Sequence, residues 1–258
     1  MEEHQDQDRM SLIDHLSELR GRLIRIVLAI AVGAVICFIF SQQIFEFAEA
    51  PVKKYLPEGS SMVTIRLQDP FFVYLKISFI AGFFLTIPYV LYQLWAFVKP
   101  GLFEREKRLA GPAIVLATGL FYLGGAFAYF VVIPAAFKFF ITWPTDLKFM
   151  LSIREYVSLV VLLMLAFGAV FETPIVVVAL GLFGLYDTTK LRKGRRYFVV
   201  IAFVIAAILT PTPDPLNQSL MAIPMMLLYE VGILILARFE KQRRHREEME
   251  ALADPKGD

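Results

Sequence analysis

Apolar and polar segments alternate six times along the chain. The apolar ones cover residues 23–40, 71–97, 112–133, 156–183, 198–209 and 219–236. A helix crosses about 30 Å of hydrocarbon with about 20 residues, at about 1.5 Å each. The first four segments meet or approach that length. The pattern predicts an all-α polytopic membrane protein with six transmembrane helices. The fifth segment has 12 strongly apolar residues, or about 18 Å of helix, short of the hydrocarbon thickness. Three prolines among residues 211–215 forbid a continuous helix through the turn that follows it. The last two helices are therefore expected to be short, with a tip that lies low in the membrane or in a thinned bilayer.

The polar segments show how such a chain is oriented. The first, third, fifth and seventh cover residues 1–22, 98–109, 184–197 and 237–258 and carry 18 Lys/Arg. The second, fourth and sixth cover 41–69, 134–155 and 211–218 and carry 6. The positive-inside bias places both termini in the cytoplasm, and an even number of spans agrees. The division expected is a cytoplasmic N-terminal segment (1–22), a membrane domain (23–237) and a charged cytoplasmic tail (238–258). Ala48-Glu49-Ala50 has the small-x-small form of a leader cleavage site. The acidic residues before the first span, and the span's length, argue against a cleaved leader.

Residues 11–22 carry Leu12, Leu16 and Leu19 at helical spacing, in line with Leu23. This predicts a short amphipathic helix along the lipid interface that turns into the first span. Residues 41–69 predict a partly helical outer cap broken at Pro51 and Pro57. Asp69-Pro70 reads as a helix N-cap followed by proline at the first helical position.

At 57% hydrophobic residues and net charge +2, the chain lacks the polar surface of a soluble domain and the charge bias of a nucleic-acid binder. Cys37 is the single cysteine, and His4, His15 and His245 share no ligand spacing. No metal or cofactor site is expected. No nucleotide loop, zincin motif or Gly-x-Ser-x-Gly occurs, and no Asp or His lies within a span, so nothing proposes an enzyme.

Glu172 is the conspicuous polar position. It lies 11 residues from Phe183, about 16 Å along a helix and near the midplane. A charged carboxylate there costs about 3 kcal/mol on insertion scales. Two readings stay open: a neutral Glu bonded to a neighbouring helix, or a functional polar site, with Pro174 freeing a carbonyl beside it. Glu230 and Lys76 are shallower, and pairing or snorkelling accounts for them. Glu106, in the mixed-charge stretch Lys99 to Arg108, and Glu18, with Arg22 as its i+4 partner, are weak signals taken singly.

Together the segments resemble the TatC family, core subunits of the twin-arginine protein translocase. The resemblance rests on His15-Leu16-Ser17-Glu18-Leu19-Arg20-Gly21-Arg22 and on Tyr92-Gln93-Leu94-Trp95-Ala96-Phe97. It continues through Pro100-Gly101-Leu102, Glu106-Lys107-Arg108 and Phe171-Glu172-Thr173-Pro174, and ends with the hairpin from Leu209-Thr210-Pro211 to Asp214, Gln218 and Ala222-Ile223-Pro224-Met225. It implies a concave six-helix bundle in a bacterial-type cytoplasmic membrane. It implies a receptor that takes twin-arginine signal peptides of folded precursors, works with TatB-type and TatA-type single-span subunits in an oligomeric complex among membrane lipids, and draws on the proton-motive force. By position, Glu18, Phe97 and Glu106 would bind the arginine pair and Glu172 would be the intramembrane polar residue. Pro51, Asp214 and Gln218 match further family positions. One extra residue between Thr210 and Asp214 separates this chain from some relatives.

The competing reading is a proton- or ion-coupled secondary transporter that uses Glu172 and Glu230 as relay groups. No interrupted helices in two repeat halves support it. A third reading is a structural membrane subunit without binding chemistry of its own.

Overall fold

A computed structural model describes residues 2–55, 61–98, 110–142, 150–209 and 215–253. It is helical apart from one short strand pair, and divides into two compact units, Met1–Leu165 and Ala166–Asp258. In order, the elements are α1 (Glu2–Ile39), α2 (Ser41–Lys53), β1 (Ser61–Val63), α3 (Asp69–Val98), α4 (Ala110–Phe127) and a single π turn (Ala128–Val132). They continue with α5 (Ile133–Thr142), β2 (Met150–Ser152), α6 (Ile153–Phe171), α7 (Thr173–Leu182), α8 (Thr188–Leu209) and α9 (Pro215–Ala253). Among the described residues, five stretches are long and apolar enough to cross a membrane: Leu16–Ile39, Asp69–Phe97, Gly111–Phe139, Ile153–Leu182 and Gln218–His245. The short fifth apolar segment forms the end of α8, whose first turns are polar.

In the first unit, α1 packs along α3. Ile26, Gly33 and Cys37 on one face of α1 are buried, while Val27, Leu28, Val32 and Val35 on the others stay exposed. That is the distribution of a helix with one protein-facing stripe and a lipid-facing remainder. The helices cross at Gly33 and Gly82. A Cβ on Gly33 would lie 2.8 Å from the Gly82 carbonyl oxygen, and one on Gly82 would overlap the backbone of Gly33 and Ala34. Apolar side chains gain little by leaving lipid for protein, so such helices associate through close backbone approach.

The outer cap is partly helical as expected: α2 covers Ser41–Lys53 and buries Phe45, Ala48 and Val52, while Pro57 lies outside the described residues. Pro51 does not end α2, which runs on to Lys53. Proline instead withholds the N–H that would bond the carbonyl four residues earlier. That carbonyl, on Phe47, accepts a 2.6 Å bond from the Tyr129 hydroxyl, and the two rings stack 4.5 Å apart. Pro88 in α3 does the same to Phe84, whose carbonyl accepts from Tyr122 at 2.9 Å. Tyr129 lies in the π turn.

Several expectations are corrected. Residues 11–22 do not form a separate interfacial helix; α1 runs unbroken from Glu2 to Ile39, because nothing between Arg22 and Leu23 interrupts the backbone ladder. The third span continues past Ile133 through Pro134 to Thr142, the π turn having already loosened the i−4 pairing where the proline would clash. Asp69 does not cap α3 forwards. Its carboxylate accepts from the Arg66 N–H at 3.0 Å and from Arg154 Nη1 at 3.2 Å. It thereby ties the chain before α3 to the start of α6. Beside it β1 and β2 pair in parallel, Ser61 with Met150 through Val63 with Ser152.

In the second unit, α7 and α8 pack on α9 around Val177, Leu191, Tyr229, Ile233 and Leu236. Tyr229 stacks on Phe198 at 3.9 Å and donates to the Leu191 carbonyl at 2.9 Å. Glu240 takes the Thr188 N–H at 3.0 Å and its hydroxyl at 2.5 Å, capping α8 from the polar end of α9. That helix is 39 residues long, so its apolar section continues directly into the charged tail.

Gly82→Leu should destroy the α1–α3 crossing and prevent accumulation of folded protein. Gly119→Ala faces open space and should be neutral or stabilising by up to about 1 kcal/mol. Thermal unfolding of detergent-solubilised protein reads both.

Candidate functional site

The side chains that resemblance assigned to cation binding begin on α1. Glu18 receives two bonds from Arg22, from Nε at 2.9 Å and from Nη2 at 2.5 Å, both on Oε1. The pair sits one helical turn apart, and its side chains are 38% and 18% exposed respectively. Arg22 also reaches across to α3, where Nη1 donates to Gln93 Oε1 at 3.1 Å. Gln93 in turn donates from Nε2 to the Tyr89 hydroxyl at 2.7 Å. The buried amide is therefore satisfied at both ends, as burial requires.

This chain of bonds positions the carboxylate. Arg22 holds one oxygen of Glu18, and the other takes no bond among the described residues. Phe97 follows Gln93 by one turn on the same helix. The structure thus brings Glu18 to the end of α3 that carries Phe97. Glu106 lies outside the described residues, together with its basic neighbours. Arg22 was expected only as the i+4 partner of Glu18, and its bond across to Gln93 is what the sequence reading passed over. Their signal was an amide and a guanidinium at the polar ends of two apolar segments, where each needs a partner.

Electrostatics limit what this half of the site does alone. Glu18 with Arg22 is a neutral pair. A third charge, a guanidinium on the open oxygen, meets attraction from the carboxylate and repulsion from Arg22. Firm binding of a cation here needs a further carboxylate.

Glu172 stands at a break in its helix. The sequence suggested one span through residues 156–183; the structure shows α6 ending at Phe171 and α7 starting at Thr173. Glu172 N–H bonds Ala169 in a tightened turn at 3.1 Å. Pro174 cannot serve the Val170 carbonyl, and the Thr173 hydroxyl takes it at 2.5 Å. The freed carbonyl is thus satisfied by the neighbouring threonine rather than by Glu172. The Glu172 Oε1 atom is shielded from solvent and has no hydrogen-bond partner among the described residues. The reading in which Glu172 bonds a neighbouring helix finds no such bond there.

The remaining positions separate. Pro51 is buried in the cap, Gln218 lies half-buried in the first turn of α9, and Asp214 falls outside the described residues. Glu230 pairs with Arg195 at 2.6 Å. Lys76 donates to Ser158 at 2.8 Å, so a side-chain partner accompanies the snorkelling expected of it. No cluster of three or more His, Cys, Asp or Glu suited to a metal occurs among the described residues.

Comparison with known proteins places these features in a family context. A model of the family "Sec-independent protein translocase protein (TatC)" matches residues 14–224. The Sec-independent protein translocase protein TatC of Halothiobacillus neapolitanus is 45% identical over 235 residues, 91% of this chain and 64% of that longer protein. Its counterpart in Escherichia coli K12 is 41% identical over 243 residues, 94% of each chain. The crystal structure of a twin arginine translocase receptor, TatC, superposes with a TM-score of 0.76 at 42% identity. It covers 86% of this chain and 98% of that one.

The Pro51–Phe47–Tyr129 arrangement gives a test of its own. Tyr129→Phe should destabilise the first unit by about 1–3 kcal/mol, because a buried carbonyl loses its donor. In a Pro51→Ala background the backbone N–H returns, and the same change should have an effect under about 1 kcal/mol. A double-mutant cycle by thermal unfolding measures the difference.

Proposed function

The chain belongs to the TatC family of Sec-independent protein translocase proteins, and from that premise we propose that it is the receptor for twin-arginine signal peptides. The observation that supports this most is the Glu18 carboxylate. It is held on one oxygen by Arg22, takes no bond on the other among the described residues, and is tied through Arg22 to Gln93 near the Phe97 end of α3. One arginine of the signal donates to the open oxygen of Glu18. Glu106 supplies the negative charge that the neutral Glu18–Arg22 pair lacks and takes the second arginine. Phe97 lends an aromatic face beside them. Two carboxylates are needed because one is already half spent within the protein.

The receptor performs no chemistry of its own. It presents the bound signal to TatB-type and TatA-type single-span subunits in an oligomeric complex of the bacterial cytoplasmic membrane, and the proton-motive force drives transport. Both termini face the cytoplasm, in keeping with the distribution of Lys and Arg. Glu172, with a shielded oxygen that lacks a partner among the described residues, accepts a polar group from a partner helix or from the signal. Gln218 and Asp214 serve the last hairpin as a second contact. The bond from Arg195 to Glu230 takes Glu230 out of the relay that a transporter reading would need.

Binding of a twin-arginine signal peptide to the purified receptor tests the site. Glu106→Ala should abolish binding, and Glu106→Gln should be nearly as severe, since shape survives but charge is lost. Glu18→Gln should weaken binding about ten-fold or more. Wild-type affinity in these inserted, folded variants would refute the assignment. A photo-crosslinker at position 172 should capture a TatA-type helix or the signal; capture of lipid alone would remove Glu172 from the pathway.

A further inference from the structure

The first unit carries a second cationic feature, away from Glu18. Between α3 and α6 lies a recess of about 360 Å³ lined by Lys76, Arg154 and Ser158 together with Phe72, Leu75 and Phe79. Lys76 lies seven residues beyond Asp69, about 10 Å along the span. An ammonium at that depth calls for a counter-charge. Among the described residues it has only a neutral partner, Ser158 Oγ at 2.8 Å. Ser158 spends its own proton on the Arg154 carbonyl at 2.7 Å, so its oxygen accepts from Lys76, and two of the three ammonium donors remain. Arg154 is 45% exposed and gives one N–H to Asp69, which is 3% exposed. Asp69 neutralises one of the two cations. Glu155, the adjacent acid in sequence, does not line the recess. Among the described residues that line the recess, the net charge is positive.

The apolar part of the lining indicates what carries the matching negative charge. Phe72, Leu75 and Phe79 fall at i, i+3 and i+7 on α3 and are 51%, 45% and 50% exposed. They form a stripe along the span beside the cations. A free anion gains nothing from such a stripe, whereas an amphiphile with a phosphate at one end and a hydrocarbon chain at the other matches both halves. We propose that this recess binds an anionic phospholipid, with its phosphate on Lys76 and Arg154 and an acyl chain along Phe72, Leu75 and Phe79. The net charge favours a headgroup that is anionic overall over a zwitterionic one.

The test is lipid occupancy of the purified full chain by native mass spectrometry, with phosphatidylglycerol or phosphatidylcholine added to detergent. Wild-type protein should retain one phosphatidylglycerol in preference to phosphatidylcholine, and inorganic phosphate should not displace it. Lys76→Gln should lower apparent affinity for phosphatidylglycerol about five-fold, the contribution of one cation near a charged lipid surface. Lys76→Arg should restore it. Equal retention of both lipids by wild type, displacement by inorganic phosphate, or unchanged occupancy in a folded Lys76→Gln protein would each overturn the proposal. If Lys76→Gln does not insert, the wild-type lipid preference and its indifference to phosphate still decide. Signal-peptide binding is not part of the readout, so its failure leaves this result intact.

Discussion

A backbone polar group in hydrocarbon has no water to fall back on, so every N–H and carbonyl must find a partner within the protein. Three prolines make that constraint visible, Pro88 and Pro174 within candidate spans and Pro51 in the buried part of the outer cap. Pro51, Pro88 and Pro174 each withhold a donor, and in each case the stranded carbonyl is taken by a hydroxyl. Tyr129 serves Phe47, Tyr122 serves Phe84, and Thr173 serves Val170. The two tyrosines come from α4 and the π turn, so these repairs also join α2 and α3 to the third span. The third repair is local and does not use Glu172, whose shielded Oε1 has no hydrogen-bond partner among the described residues.

The same economy acts at the polar end of the first unit. The glycine crossing of α1 and α3 brings the helices close enough for Arg22 to span them, and Gln93 with Tyr89 completes the chain of bonds. Structure and proposed function meet in Arg22. It steadies the helix pair and at the same time fixes one oxygen of Glu18, leaving the other edge presented. A carboxylate with no neighbour would attract any cation. One held in a neutral pair responds chiefly to a partner of matching geometry whose second charge is met elsewhere.

Much of this was legible in the chain. The six apolar segments all fall in helices, the cap is partly helical, and the short fifth apolar segment is the end of α8. The parts that escaped were pairings between residues far apart in sequence. Asp69 looked like a forward cap because its immediate neighbours favour one; its partner Arg154 is 85 residues away. Pro51 looked like a helix breaker because Tyr129 cannot be seen from Phe47. The π turn left no period of its own, and Pro134 beside it read as a stop. Glu172 was conspicuous as a charge in an apolar run, yet the helix break at that residue was not, since Thr173-Pro174 admits both a kink and a new start. The Glu18–Arg22 pair was legible in its i+4 spacing, while the bond from Arg22 across to Gln93, 71 residues away, emerged only when the helices were packed.

The central claim is that the site reads the fork of a guanidinium and not merely positive charge. Titration calorimetry of the purified receptor with a signal peptide carrying its arginine pair, and with the same peptide carrying two lysines, measures this directly. The account predicts that the lysine peptide binds at least about ten-fold more weakly, since an ammonium lacks the planar, directional donors with which a guanidinium meets a carboxylate. Equal affinity for the two peptides would contradict it.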